Sequence, residues 1–346
     1  MTHRWAASLA VLTAFAAVAS ACAGEDVTTG TGLEGYAVVD STSSTASSIA
    51  AVAPDSTEPD APSVPTLASS TSTTEAPAPT VPDDQPTSAA ELADALSAAE
   101  LAVRDTDLDP EQRAAWGRRQ QWLYRILAVR PEAEVDTVLG AVDPEIATAV
   151  ATNWQARVEL NVLLLQHGIP DYLPAWRIVE PAPADELLAY YQDAGAATGV
   201  PWEVLAAINL VETRMGRIRG ISTAGAVGPM QFLPTTWAEC CEGDPTQDRD
   251  AIRGAAEYLI DRGAATDLDR AIWGYNNSDR YVAAVQAYAS VLAENPEAYS
   301  GYHAWEVYYR SSAGLLRLPV GYEELESVDA TQWWADNPEH RVLGAD

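Results

Sequence analysis

The stretch that decides the fold runs from residue 200 to residue 217 and reads VPWEVLAAINLVETRMGR. Its apolar side chains recur at helical spacing, at Val204, Ile208, Val211 and Met215. This spacing predicts an α-helix over residues 200–215. A second amphipathic helix is predicted just upstream, over residues 185–198, and Gly199 ends it. Strand signals are nearly absent before residues 315–322, so the predicted fold class is all-α, meaning mainly helical.

Glu212 lies on the shoulder of the predicted apolar stripe, four positions after Ile208,. A carboxyl group held against apolar surface is desolvated, which raises its pKa and suits it to general acid catalysis near neutral pH. The structural alternative is that Glu212 lies at the boundary of the core and forms a salt bridge. The candidates for that partner are Arg214, Arg217 and Arg219.

Three further blocks follow in order: STAGAVGPMQFLPTTW at 222–237, WGYN at 273–276 and WEVYY at 305–309. Together with ETRMGR at 212–217, they resemble the lytic murein transglycosylases, particularly the membrane-bound B type. The resemblance covers about residues 201–322. It implies a lysozyme-like catalytic domain, which we place at 170–322, acting on the glycan strands of peptidoglycan.

The resemblance also implies roles for single residues. Glu212 falls at the family's only catalytic acid/base, and Ser222, Gln231, Tyr275 and Asn276 fall at positions that line the substrate cleft. Each of these four has a structural alternative: Ser222 as a cap, Gln231 as a buried amide bonded to backbone, Tyr275 as core filling and Asn276 as a turn residue. Phe232 and Trp237 are predicted to be core.

Ordinary glycosidases use two carboxylates, but no acidic residue lies between Glu212 and Glu239,. In the family that the chain resembles, the substrate's own C6 hydroxyl replaces the second group. The expected reaction cleaves the bond between N-acetylmuramic acid and N-acetylglucosamine, leaves a 1,6-anhydro end and needs no cofactor. The alternatives are a hydrolytic muramidase and a non-catalytic wall-binding lipoprotein.

No metal site is predicted. Residues 240–250 lack the alternating oxygen ligands of a calcium-binding EF-hand loop, and Asp244-Pro245 is typical of a turn,. The adjacent Cys240 and Cys241 are compatible with a vicinal disulfide or with two reduced thiols, and the sequence leaves both open.

The start of the chain indicates export. Residues 1–21 have a charged start, an apolar middle and a small-residue end, as a signal peptide does,. Cys22 follows directly and resembles a lipobox cysteine, which predicts a lipid anchor at the outer face of the cytoplasmic membrane. Simple signal cleavage and an uncleaved anchor are the alternatives, and both also export the protein.

Composition and charge exclude one class of function and divide the rest of the chain into segments. The 346 residues include 20 basic side chains, all Arg, against 50 acidic ones, and the net charge of −30 excludes a nucleic-acid binder,.

Residues 22–87 are rich in Ser, Thr, Ala, Pro and acidic residues and are predicted to be a disordered tether. Residues 88–169 are predicted to form a helical hairpin or bundle, with helix starts at Ser88, Asp109 and Asp143. Residues 323–346 are predicted to be a C-terminal tail.

Overall fold

A computed structural model describes residues 81, 82 and 84–342 of the chain. The predicted signal peptide, Cys22 and most of the predicted tether lie outside the described residues. The last tether residues are described and contact the helices. Pro86 is buried, and the backbone carbonyl of Asp84 accepts a hydrogen bond from Arg119 at 2.6 Å.

The described residues are mainly helical, as predicted. In chain order, the helices α1 to α12 span Ala89–Arg104, Pro110–Leu127, Glu132–Leu139, Ala147–His167, Ala184–Thr198, Trp202–Thr213, Pro234–Cys240, Asp248–Asp261, Leu268–Tyr275, Asp279–Glu294, Tyr299–His303 and Ala330–Asp336. The strands β1 to β6 span Tyr172–Leu173, Trp176–Ile178, Ile218–Gly220, Val307–Ser311, Gly314–Leu318 and Val328–Asp329. Two single 3-10 turns span Pro296–Ala298 and Pro338–His340.

Two of the three predicted helix starts in the N-terminal segment are confirmed. Ser88 and Asp109 each form a capping box with the residue three positions later,. The third start is wrong, because α4 begins at Ala147 and Asp143 instead closes a turn by accepting from the Glu145 backbone N–H at 2.8 Å. The buried face of α4 is formed by Val150, Asn153, Ala156, Arg157, Leu160 and Leu163.

The helix that carries Glu212, α6, lies in the centre of the fold and packs against α5, α8 and α10. Every residue from Val204 to Thr213 is buried. A helix that is buried on all sides is typical of a core position, and this stretch has no exposed face although Asn209, Glu212 and Thr213 are polar,. Glu212 is therefore enclosed, rather than placed at a boundary.

The segment 88–169 and the segment that follows it share one hydrophobic core. Helix α4 packs along α10, and α2 packs against α11, so buried residues from Leu92 to Leu315 form one cluster. A second, smaller cluster lies under the three two-stranded sheets, β1–β6, β2–β3 and β4–β5, all antiparallel. Through β6, part of the segment expected to be a tail is built into this second cluster.

None of the helices among the described residues is long and apolar enough to cross a membrane.

Candidate active site

The backbone turns abruptly straight after Glu212. Helix α6 ends at Thr213, and Arg214, Met215 and Gly216 follow with φ values of 56°, 60° and 82°. Non-glycine residues rarely adopt this left-handed conformation, which costs about 1–3 kcal/mol and persists only where the surroundings enforce it. Here the Thr213 hydroxyl supports the turn, because it accepts from the Gly216 backbone N–H at 3.0 Å and donates to the Pro229 carbonyl at 2.6 Å.

Glu212 is 3% exposed, and its Oε1 accepts a hydrogen bond of 2.6 Å from the Tyr281 hydroxyl on α10. Burial raises the pKa of Tyr281, and the Glu212 carboxylate raises it further, so the phenol keeps the proton that it donates,. The sequence analysis missed Tyr281. The helical spacing of Tyr281 to Ala284 and Tyr288 predicts that it is buried on α10. The spacing does not reveal its partner, because Glu212 lies 69 residues away in the sequence.

Each of the three candidate arginines has a partner of its own, although burial lowers the pKa of Arg214 and the charge of Glu212 acts against that shift. Arg217 pairs with Glu180 at 2.8 Å, and Arg219 pairs with Asp248 at 3.0 Å. Arg214 donates to the carbonyl groups at the end of its own helix.

Tyr275 is buried in an aromatic cluster instead of facing open space. Its ring stacks on Tyr281 with a centroid distance of 6.5 Å and meets Phe232 and Tyr258 edge-on. Its hydroxyl donates to the Met230 carbonyl at 2.5 Å. The ring is thus covered by other rings, and this arrangement favours the core-filling alternative over sugar stacking. Phe232 is buried, as predicted, and so is Trp237.

Gln231 lies at the end of a tight turn that begins at Gly228. Its φ is 52°, another left-handed non-glycine residue, and its Nε2 donates to the Gly228 carbonyl at 2.8 Å. A bridge between Val227 and Phe232 closes the turn. The side chain is 1% exposed, yet its Oε1 has no hydrogen-bond partner among the described residues.

Asn276 presents a second acceptor of the same kind. It is the C-cap of α9, directly after Tyr275, and it is 2% exposed. Its Oδ1 also has no hydrogen-bond partner in the part of the chain that the structure describes. Buried polar atoms are almost always hydrogen-bonded, so the amide oxygens of Gln231 and Asn276 are available to a donor such as water or a ligand N–H or O–H.

The side chain of Ser222 closes a loop. Its Oγ accepts from the Ala226 backbone N–H at 2.9 Å, and its carbonyl accepts from Gly225, which has a φ of 86°. This is the capping alternative, and it makes Ser222 part of the support for the segment that leads to Gln231.

Two carboxylates are buried among the described residues, Glu100 and Glu212. Glu100 is occupied by a polar network: Arg104, Tyr124 and Asn153 all donate to it. That network joins α1, α2 and α4 and needs no ligand. Glu212 is thus the buried carboxylate that lies outside this network.

The cysteine question is settled in favour of the disulfide, which joins the adjacent Cys240 and Cys241. Asp244 forms the predicted turn by accepting from the Thr246 backbone N–H at 2.8 Å. Within the described part of the chain, no three His, Cys, Asp or Glu side chains are grouped closely enough to hold a metal ion.

Comparisons of the chain with protein-family models, with curated proteins and with solved structures found no match. The functional interpretation therefore depends on the geometry of this site and on the motifs in the sequence.

Proposed function

We propose that this protein is a peptidoglycan lytic transglycosylase of lysozyme-like fold, with Glu212 as its single acid/base. The observation that carries the proposal is a buried carboxylate held by the Tyr281 hydroxyl. The Tyr281 ring stacks on Tyr275, which links it to Asn276 and to the segment of Gln231, and the amide oxygens of these two residues are buried with no hydrogen-bond partner among the described residues.

Glu212 acts twice in the proposed reaction. As the acid, it gives its proton to the glycosidic oxygen, and the bond from that oxygen to C1 of N-acetylmuramic acid breaks. As the carboxylate, it then takes the proton of the C6 hydroxyl, whose oxygen bonds to C1 and forms the 1,6-anhydro ring. Water is not consumed, and the internal attack benefits from its effective concentration.

The amide oxygens of Gln231 and Asn276 suit an N-acetylated sugar. An acetamido N–H or a ring hydroxyl would supply the donor that each oxygen lacks. The left-handed conformation of Gln231 supports this role, since backbone strain of this kind concentrates at functional sites,. Tyr275 contributes indirectly, because it holds Tyr281 and the carbonyl of Met230 in place.

The test replaces Glu212 with Gln, which keeps the shape of the side chain but transfers no proton. General acid–base assistance is worth about 10²–10⁴-fold, and one group serving both steps predicts a loss near the upper end of that range. The assay is release of anhydromuropeptides from purified sacculi, followed by mass spectrometry. The matched control is Glu203→Gln, in the first turn of the same helix, which should leave the rate unchanged.

The products also distinguish the alternatives. Reducing ends in place of anhydro ends would make the protein a hydrolytic muramidase. Glu212→Gln activity within about tenfold of wild type would reject the single-acid mechanism, given the size of acid–base effects. If the wild-type protein bound sacculi but did not cleave them, the result would favour the non-catalytic wall-binding lipoprotein.

The proposed location is the outer face of the cytoplasmic membrane, with a lipid on Cys22. Its support is the signal-like start of the sequence and the cysteine that follows it. Cys22→Ala should release the protein from membranes or block its processing. Unchanged membrane partition and an unchanged N-terminal mass in that variant would reject lipidation.

A further inference from the structure

A cavity of about 310 Å³ lies between α2, β2 and the hairpin of β4 and β5. Its charged walls carry three arginines, Arg118, Arg217 and Arg317, and two glutamates, Glu180 and Glu306. One water molecule takes up about 30 Å³, so the space has room for a ligand group of several heavy atoms. None of the residues assigned to glycan cleavage lines this cavity.

Two of the three arginines are paired within the cavity wall. Arg217 is 8% exposed, pairs with Glu180 at 2.8 Å and donates to the His303 carbonyl at 3.1 Å. Arg317 pairs with Glu306 at 3.4 Å. Both glutamates of the cavity are therefore engaged, and neither ion pair requires a ligand.

The third arginine, Arg118, is exposed. Its guanidinium group has no ion-pair or hydrogen-bond partner among the described residues. The helix that carries it is fixed at the cavity, because the amide of Gln121 bonds to both the backbone N–H and the carbonyl of Glu306 at 2.8 Å. Arg118 is thus held beside the cavity with its N–H donors available to a ligand.

The charges in the wall favour a ligand group with one negative charge. Three guanidinium groups against two carboxylates leave one positive charge in excess. The chain as a whole carries a charge of −30, so an anion with two charges would bring an uncompensated charge to a molecule that repels it,. A carboxylate carries one charge, and it matches the planar donor fork of an arginine with two parallel hydrogen bonds.

The uncharged part of the wall favours a carboxylate that is attached to an aliphatic group. Ile178, Val307 and Leu318 line the cavity, and each is at most 3% exposed. Val320 also lines it and is 49% exposed, so the fold leaves part of this apolar surface in water. A methyl group next to the carboxylate would cover that surface, whereas a bare inorganic anion would not.

We propose that this cavity binds the carboxylate end of a short peptide. Arg118 takes the carboxylate, and Val320 with the apolar wall takes the small aliphatic side chain of the last residue. The choice of a peptide rests on the proposed function, because the glycan strands of peptidoglycan carry short peptides that end in a carboxylate. The binding itself requires neither Glu212 nor cleavage of the glycan.

Binding of a sugar-free peptide to the full chain tests the proposal. The probe is N-acetyl-D-alanyl-D-alanine, and the comparison is its C-terminal amide, which lacks the charge. In saturation-transfer NMR titrations the acid should bind roughly tenfold more tightly than the amide, the size of one charge-assisted hydrogen bond. Sodium phosphate at constant ionic strength should not displace the acid.

Two variants at exposed positions locate the binding and leave the core intact. Arg118→Gln removes the charge and should weaken binding of the acid roughly tenfold. Val320→Glu adds a carboxylate to the wall and should repel the acid. The control is Arg270→Gln, which removes an exposed arginine of α9 and should bind the acid as wild type does. The Tm of each variant checks that it is folded.

Cleavage of soluble glycan strands provides a second readout. Wild type should have a lower KM for strands that keep their peptides than for strands from which an amidase has removed them. Arg118→Gln should narrow this difference, because it weakens the contact that only the peptide makes.

Equal affinity for the acid and the amide would overturn the proposal. So would unchanged affinity for the acid in Arg118→Gln or Val320→Glu, or displacement of the acid by phosphate at equal concentration. The proposed function fails separately: a chain that bound the acid but cleaved no strand would keep the site and lose the reaction. Cleavage without binding of the acid would overturn the site alone.

Discussion

The hydroxyl of Tyr281 is the group that connects the buried acid to the rest of the site. It donates to Glu212 Oε1 at 2.6 Å, and its ring is stacked on Tyr275. Hydrogen bonds to a carboxylate favour the charged form and fix its orientation. Tyr281 is therefore a positioning residue, acting through Glu212.

Tyr281→Phe removes this hydrogen bond and little else. We expect a loss of roughly tenfold in anhydromuropeptide release, below the range typical of losing the acid itself. The alkaline limb of the pH–rate profile should move to higher pH, because Glu212 must be protonated to act as the acid and its pKa rises when the carboxylate loses a donor. Tyr322→Phe is the control: its hydroxyl donates to the Pro174 carbonyl at 2.7 Å in the second cluster, so its loss should lower Tm only. An unchanged pH profile in Tyr281→Phe would mean that the tyrosine is structural.

At this scale the sequence predicted part of the site. Glu212, Gln231 and Asn276 were singled out, and the structure shows them buried, the two amides with an unsatisfied oxygen. Tyr281 was missed because helical periodicity predicts that a side chain is buried but does not predict which residue of another helix it contacts. Tyr275 was assigned to the substrate because a motif does not reveal which rings will cover it.

Among the elements, the turn at 227–232 depends on one glycine. Gly228 has a φ of 77°, and a Cβ built there would lie 1.8 Å from the Pro245 carbonyl oxygen. Gly225 has a similar φ of 86°, but a Cβ there would meet nothing within 4 Å. Replacing Gly225 by alanine would therefore incur only the strain of a left-handed backbone, whereas replacing Gly228 would also create a steric clash.

Gly225→Ala should cost about 1–2 kcal/mol of unfolding free energy, the usual penalty for a left-handed residue. Gly228→Ala should cost more, because the backbone must also shift, and it should displace Gln231 and abolish most activity. Chemical denaturation and product release of both variants provide the comparison. Equal losses in the two variants would show that the contact with residue 245 does not hold the turn.

Helix α11 carries a histidine whose titration is coupled to folding. Burial lowers the pKa of His303 below its ordinary value of 6.5, Arg217 acts in the same direction, and the Ala182 carbonyl, Glu180 and Asp185 oppose the shift. Below pH 6.5 the unfolded chain then binds more protons than the folded chain does. The contribution of His303 to stability is present above pH 6.5 and is lost as the pH falls below it.

We therefore expect the Tm of the wild-type protein to fall between pH 7 and pH 5 more steeply than that of His303→Gln, by the linkage between protonation and unfolding. Glutamine can still donate to the Ala182 carbonyl, which the His303 ring contacts at 2.9 Å. The measurement is Tm in half-unit pH steps. Parallel curves for the two proteins would assign the acid sensitivity to other groups.

Across the whole molecule, the sequence predicted a helical protein but not how its segments combine. The pattern placed 88–169 before the segment proposed to be catalytic, and it gave no reason to join the two, because local periodicity carries no information on long-range contacts. The structure joins them through buried side chains. Trp305 donates to Gln120 at 3.0 Å, and the Glu306 backbone N–H donates to Gln121 at 2.8 Å.

This shared core predicts which truncations survive. A chain starting at Val81 keeps the whole core and should release anhydromuropeptides from soluble glycan strands at the full-length rate. A chain starting at Pro170 lacks α1 to α4, whose core side chains include the fully buried Leu92, Leu96, Leu123 and Leu127. Each such side chain contributes about 1.5–3 kcal/mol by burial, and their sum is comparable with the roughly 5–15 kcal/mol that keeps a domain folded. The shorter chain should therefore show no cooperative thermal transition, although it contains Glu212, Gln231 and Asn276. If it unfolded cooperatively and cleaved soluble strands, residues 170–346 would be a domain of their own and the first four helices an accessory to it.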